Sequence, residues 1–332
     1  MSVLSMTFLF IATLCLALLL SPVVIAIANK ANLDDAINER SAHTTPTPRG
    51  GGLIFIFAAA IVLLVNCIHP FFIIPRSFLL ILYLSFGCAV IGFLDDKFSL
   101  PSWLRFCCQI LLAVYPSIHL PLLFQSVPAV LQYGLYALSW VWFINLFNFM
   151  DGTDGYAAQE AVFILFFIAL VSSSLTALSI FLMASVIGFL RVNYPKASIF
   201  MGDAGSYFLG YLLFGLMIYS FTAHPHLLVP CIIVSLLFTA DATCTLIRRI
   251  LRKEPFLSAH RSHWYQRLYN MGTNHLSIFW FGVALNCILL LLSLLSVYFS
   301  HWIADMLISF LLITLTALWV VKKEKRAELR KT

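Results

Sequence analysis

Charge is what this sequence has least of. Asp, Glu, Lys and Arg make up 10% of its 332 residues, against about 25% in soluble domains. So few charges cannot coat a water-facing surface of this size, which excludes a soluble globular protein. An apolar content of 61% and an aromatic content of 15% exclude a disordered chain, because such chains are polar and poor in aromatics. The eight cysteines include no CxxC pair and nearly all lie inside apolar runs, so they read as small hydrophobes rather than a zinc site or a disulfide framework. A basic region ahead of the first apolar run is also missing. That run exceeds the roughly 7–15 residues of a signal-peptide core, and it is read as a retained helix.

What the sequence has in abundance is apolar runs long enough for a bilayer core of about 30 Å. Spans are predicted at 6–28, 53–69, 77–94, 102–119, 129–149, 156–173, 175–192, 205–222, 227–247, 276–299 and 302–321. The fold class is therefore an all-α polytopic membrane protein with about eleven transmembrane helices. Under this assignment 19 of the 20 Lys and Arg residues fall on one side and only Arg76 on the other. The positive side is cytoplasmic, which puts the N-terminus outside and the C-terminus in the cytosol. Residues 1–321 form one transmembrane domain, with cytosolic loops at 30–52, 92–101, 145–155, 193–206 and 248–275. Residues 322–332 form a basic cytoplasmic tail.

Those loops hold most of the polar chemistry. Arg49 precedes Gly50-Gly51-Gly52, which reads either as a glycine-rich helix entry or as open backbone N–H groups beside a cation, suited to phosphate. Asp95 and Asp96 end the third span, where acids oppose the helix dipole. Such a pair can bind a hard cation or position a proton, and Lys97 beside it can touch an anion. Asn145, Asn148, Asp151 and Asp154 recur every three residues. They cannot share one helical face unless the helix unwinds, as Gly152 and Gly155 suggest, and the bland alternative is an Asx-rich turn. Asp203, between Gly202 and Gly205, opens the eighth span, where an aspartate also serves as an N-cap. Acids beside phosphate-binding helix starts imply a bridging Mg²⁺. The loop 248–275 is basic, and His260-Arg261-Ser262-His263 reads as an anion-binding arm more readily than as a zinc site. Within the spans, Glu160 and Asp241 are placed to support the site from the helix walls, and Asp305 is expected in solvent near the outer end. A cation-coupled transporter using Glu160 and Asp241 is the rival reading from another class. It calls for acids near the midplane, whereas most acids here cluster at cytosolic helix ends.

In this order the motifs RGGG (49–52), DD (95–96), NFMDGTDG (148–155), MGDAGS (201–206) and the late His-containing loop resemble those of the polyprenyl-phosphate N-acetylhexosamine-1-phosphate transferases, glycosyltransferase family 4. The resemblance runs from about residue 38 to residue 270. It implies transfer of a sugar 1-phosphate from a cytosolic UDP-N-acetylaminosugar to undecaprenyl phosphate, giving a lipid diphosphate sugar and UMP. It also implies Mg²⁺, for which Mn²⁺ can substitute, a homodimer, and a place in the bacterial inner membrane with the site on the cytoplasmic face. Lipid and nucleotide sugar are the implied partners, with no nucleic acid. By the resemblance, Asp95 and Asp96 match the pair that positions or deprotonates the lipid phosphate. Asp203 matches the principal Mg²⁺ ligand, with Asn148 as a second. Asp151 and Asp154 match the nucleotide pocket. Arg49, Lys97, Asn145, His260, Arg261 and His263 are the remaining candidates for substrate contacts. The muramoyl-pentapeptide branch carries three consecutive histidines where this chain has His260-Arg261-Ser262-His263. The late loop is more similar to the branch that starts O-antigen chains.

Overall fold

A computed structural model describes residues 2–31, 34–35, 47–254, 261–299 and 301–329. The helices are α1 (Val3–Lys30), α2 (Leu53–Ile68), α3 (Arg76–Phe98), α4 (Ser102–Ser117), α5 (Ala129–Met150), α6 (Tyr156–Val171), α7 (Thr176–Asn193) and α8 (Gly202–Ala223). They are followed by α9 (Leu228–Val234), α10 (Leu236–Leu251), α11 (Trp264–Asn270), α12 (His275–Phe299) and α13 (Trp302–Leu329). Two short strands, β1 (Asp34–Asp35) and β2 (Thr47–Pro48), pair antiparallel beside the start of α2.

The protein is all-α in its spans, as expected, and a helix stands at each predicted position. Their lengths differ. Seven helices are long and apolar enough to cross a membrane: α1, α3, α5, α7, α8, α12 and α13. The predicted ninth span is broken after α9, and α10 leaves at 70° to it, so that the pair counts as at most one more. α2, α4 and α6 have 16 residues each, about 24 Å of helix, short of a full hydrocarbon core.

α8 is the centre of the bundle and nearly all of it is buried, against α3 on one side and α5 on another. Trp140 on α5 stacks on Tyr211 of α8 and donates its indole N–H to the Tyr211 carbonyl at 3.0 Å. α1 shows how an apolar helix packs where lipid competes equally for its surface. Its buried positions Leu9, Thr13, Ala17, Ser21, Val24 and Ala28 form one stripe of mostly small residues, which lets it lie close to α7. Thr13 and Ser21 return their hydroxyls to carbonyls four residues back, at 2.8 Å each, so no polar atom on that stripe is orphaned.

Helix directions alternate so that one end of the bundle collects the starts of α2, α4, α6, α8 and α12 and the ends of α3, α5, α7, α10 and α13. The motifs RGGG, DD, NFMDGTDG and MGDAGS lie at that end.

Candidate active site

The site is assembled where α3 ends and α8 begins. Gly92 makes this possible: a Cβ there would collide with the Asp203 carbonyl and the Ala204 Cα. With only hydrogen at Gly92, α3 passes close enough for Asp96 to reach the first turn of α8. Its two carboxylate oxygens accept the backbone N–H groups of Asp203 (3.0 Å) and Ala204 (3.1 Å). Two of the four orphan donors of a helix start are thereby satisfied by a charge of favourable sign. Gly202 takes a positive φ of 76°, the left-handed region that suits glycine.

The glycine run 50–52 serves the same junction. Gly51 and Gly52 donate their N–H groups to the Phe200 and Met201 carbonyls at 2.8 and 2.9 Å, and Phe200 donates to the Pro48 carbonyl. A Cβ at Gly52 would strike the backbone of Gly205. Gly52 is the N-cap of α2, and the N–H groups of Gly51 and Gly52 are already used, which is the helix-entry reading of this run.

Asp95 is buried, 5% exposed, and faces away from its neighbour. One oxygen takes Arg105 Nη1 at 2.6 Å and the Tyr207 hydroxyl at 3.0 Å, and the other accepts the Leu100 N–H at 2.9 Å. A guanidinium, a phenol and an amide thus hold this carboxylate in place between α3, α4 and α8. Arg105, which looks out of place at the start of an apolar helix, is there for Asp95.

Asp203 carries the next layer. Its Oδ1 accepts Asn148 Nδ2 at 2.7 Å, and the same amide donates to Ser206 Oγ at 2.9 Å. Asn148, expected as a second metal ligand, thus turns its N–H side to Asp203. Asp151 follows α5 directly, where the helix ends and Gly152 allows the chain to turn. Loss of hydration pushes its carboxyl well above the usual carboxylate range, and the charges of Asp203, Asp96 and Asp154 push it further, with Arg49 pulling the other way. Asp96, Asp151 and Asp203 therefore share one neighbourhood with more negative charge than Arg49 balances.

Asp154 stands apart from this trio. It accepts the Ala197 N–H at 3.1 Å and faces His275 Nδ1 at 3.4 Å, while Thr153 Oγ1 meets the same ring nitrogen at 2.7 Å. His275, at the start of α12, was not flagged by the sequence, since a lone histidine opening an apolar run carries no pattern. Asn145 is engaged by α4, through Gln109 Oε1 at 2.6 Å, and Lys97 is exposed, with its ammonium over the Phe98 ring. Neither is drawn into the trio by a contact.

The late loop closes the site from above. Asp241, on α10, takes the Trp264 N–H on both oxygens at 3.0 Å and faces His263 Nδ1 at 3.4 Å, so it supports the site by capping α11. His263 is buried beside the rings of Phe149 and Tyr265. Tyr265 donates its hydroxyl to the Phe149 carbonyl at 2.9 Å, in a place that only glycine at 152 leaves open. A cleft of about 30 Å³ between Gly152, Thr153, Arg261, Tyr265 and Tyr269 opens here. His260 lies outside the described residues. Glu160 is remote from the trio and accepts Asn286 Nδ2 at 2.6 Å, tying α6 to α12. Asp305, expected in solvent, is instead buried, 6% exposed.

Among the described residues, no three His, Cys, Asp or Glu side chains form a group that could hold a metal ion. The carboxylates of Asp151 and Asp203, which act on one another electrostatically, are the donor type that Mg²⁺ takes one or two of, with water and substrate phosphate completing its shell.

Buried carboxylates thus gather at one end of an apolar helical bundle, in a chain with the following similarities to known proteins. The profile of glycosyl transferase family 4 matches residues 78–221. A "Probable undecaprenyl-phosphate N-acetylglucosaminyl 1-phosphate transferase" of Bacillus subtilis (strain 168) is 32% identical over 323 residues, covering 91% of this chain and 89% of that protein. A "Phospho-N-acetylmuramoyl-pentapeptide-transferase" of Staphylococcus aureus (strain Newman) is 30% identical over 229 residues, 59% of this chain and 71% of that protein. Its counterpart in Staphylococcus saprophyticus is 28% identical over 234 residues, 60% and 72%. The chain belongs to glycosyl transferase family 4.

Proposed function

We propose that this protein transfers an N-acetylaminosugar 1-phosphate from its UDP derivative to undecaprenyl phosphate and releases UMP, as the first membrane step of O-antigen or another envelope polysaccharide. N-acetylglucosamine is the first candidate sugar. The observation that carries this is the convergence of Asp96, Asp151 and Asp203, with Asn148 and Arg49, at one end of an apolar bundle. The name of the Bacillus relative, which matches over 91% of the chain, favours N-acetylglucosamine. The muramoyl-pentapeptide relatives match only 59–60% of it.

In the reaction, an oxygen of the lipid phosphate attacks the phosphorus that bears the sugar. The bond from that phosphorus to the bridging oxygen breaks, and UMP leaves with the electron pair. A phosphomonoester has its second pKa near 6, so the acceptor is largely dianionic at neutral pH and needs little proton removal. The harder task is bringing one anion to another. Arg49 supplies fixed positive charge beside the trio. Asp203, with Asp151 as second carboxylate, would hold Mg²⁺ or Mn²⁺, which when bound supplies neutralisation of the phosphate oxygens. Asn148 orients Asp203, and Asp96 fixes the first turn of α8 beneath it. Arg261, which lines the small cleft with Thr153 and Tyr265, is the cation we assign to the anionic donor. The apolar helices let the prenyl tail stay in lipid while its phosphate meets the site.

The proposal includes eleven passes with the N-terminus outside, a cytoplasmic site in the bacterial inner membrane, and a homodimer. Charge segregation and the alternating helix directions support the topology, and the family resemblance supports the dimer. The test is UMP release from purified protein in nanodiscs, with undecaprenyl phosphate and a panel of UDP-aminosugars, with and without EDTA. Acceptor-dependent release with one donor, abolished by EDTA, is expected. Release from none of the donors by folded protein would refute the transferase, and release undiminished by EDTA would refute the metal.

A further inference from the structure

We infer that Glu324 is a positioning residue: the C-terminal end of α13 straps α11 against the 151–155 loop and so sets the affinity for the nucleotide-sugar donor. The inference rests on the proposed transferase reading for the word donor, and on geometry for the strap. α11 has seven residues, too few to hold a helix in place by its own hydrogen bonds. Its position must be imposed from outside. Asp241 holds its first turn. The second hold is Arg267, whose Nε donates to Glu324 Oε1 at 3.1 Å and whose Nη2 donates to Oε2. The Arg267 side chain is 7% exposed and that of Glu324 35%, so Arg267 could not stay there without its partner. Arg248 and Arg252 also face Glu324 and add to the attraction. One residue earlier on α13, Lys323 donates to Thr273 Oγ1 at 3.1 Å, just past the end of α11. The two contacts hold the middle of the helix and the turn that follows it.

Tyr265 lies two residues before Arg267 and reaches the Phe149 carbonyl beside Gly152. Any shift of α11 therefore moves one wall of the cleft whose other wall is Gly152 and Thr153. Residues 322–332 read in the sequence as a basic cytoplasmic tail, and Glu324, one of its two acids, makes this contact.

The test compares wild type with Glu324→Ala, Glu324→Gln and Lys325→Ala, full length, in nanodiscs. Lys325 is exposed and serves as the control. Glu324→Ala is expected to raise the KM for the UDP-sugar about three- to tenfold, the scale of a lost charged pair, with kcat and the acceptor KM within about twofold. Glu324→Gln should fall between, and Lys325→Ala should match wild type. Hydrogen–deuterium exchange, which needs no turnover, should speed up in Glu324→Ala at residues 261–271 and 149–155. Wild-type exchange there in Glu324→Ala would overturn the strap. Faster exchange with an unchanged donor KM would overturn its role in donor affinity. An inactive wild type with faster exchange in the variant would instead refute the transferase reading while retaining the strap.

Discussion

Asp95 and Asp96 are adjacent in the chain and both lie against Asp203, yet the protein compensates them differently. Asp95 is enclosed by Arg105, Tyr207 and the Leu100 N–H, and every lone pair it turns to the protein has a donor. Asp96 has two backbone N–H groups but shares its surroundings with Asp151 and Asp203. Asp95 adds to the negative charge felt by Asp96 and Asp203 but has Arg105 bound to it, whereas Asp96 and Asp151 have Arg49 as the cation in their surroundings. Burying like charges side by side costs stability, and a fold that keeps them without compensation keeps them for something that arrives later. On the proposed function, the difference separates a carboxylate that holds helices together from carboxylates that would hold a cation beside the substrate phosphates.

That contrast can be broken most sharply at Asp203. Asp203→Asn should reduce turnover by about a thousandfold, the scale on which charge stabilisation of a transferring phosphoryl group is lost, while the protein still inserts and folds. UMP release per folded molecule measures it. Asp151→Asn comes next, with turnover down about tenfold to a hundredfold. The same change should stabilise the metal-free protein by on the order of 1 kcal/mol at neutral pH. The sign follows from its raised pKa. The folded state holds a proton that the unfolded chain has released, so stability falls as pH rises from the ordinary carboxylate value through the raised one. Thermal unfolding against pH should show that slope in wild type and lose it in the variant.

Asp95→Asn should act on the other quantity. It leaves Arg105 without its carboxylate and should destabilise the protein by about 2–4 kcal/mol, with activity per folded molecule reduced far less than in Asp203→Asn. Denaturation in detergent together with initial rates separates the two. The smallest effect is expected at Lys97. Its ammonium rests on Phe98 outside the trio, and Lys97→Ala should change turnover by less than about twofold.

Much of this was legible in the sequence, for identifiable reasons. Apolar runs reveal helices because a bilayer demands them, and each predicted span has its helix. The acids of the DD, NFMDGTDG and MGDAGS motifs are visible because they interrupt such runs at the same side. The missing parts depend on helix rotation and depth, which composition does not encode. Arg105 looks like a flaw in an apolar helix until Asp95 is seen facing it. The break after Val234 and the seven-residue α11 are too short to register as periodicity. The glycine run 50–52 shows that close approach is needed, but not that the approaching partner is the backbone of α8. The Arg267–Glu324 pair joins residues 57 apart, and only the fold brings them together.

The most direct test of the uncompensated trio is a Mg²⁺ titration of thermal stability in nanodiscs with the UDP-sugar present, on wild type and Asp203→Asn. The account expects Mg²⁺ to raise the wild-type Tm in a saturable way, and the variant to start higher without metal and gain little from it. A wild-type Tm indifferent to Mg²⁺, or an equal rise in both proteins, would contradict it.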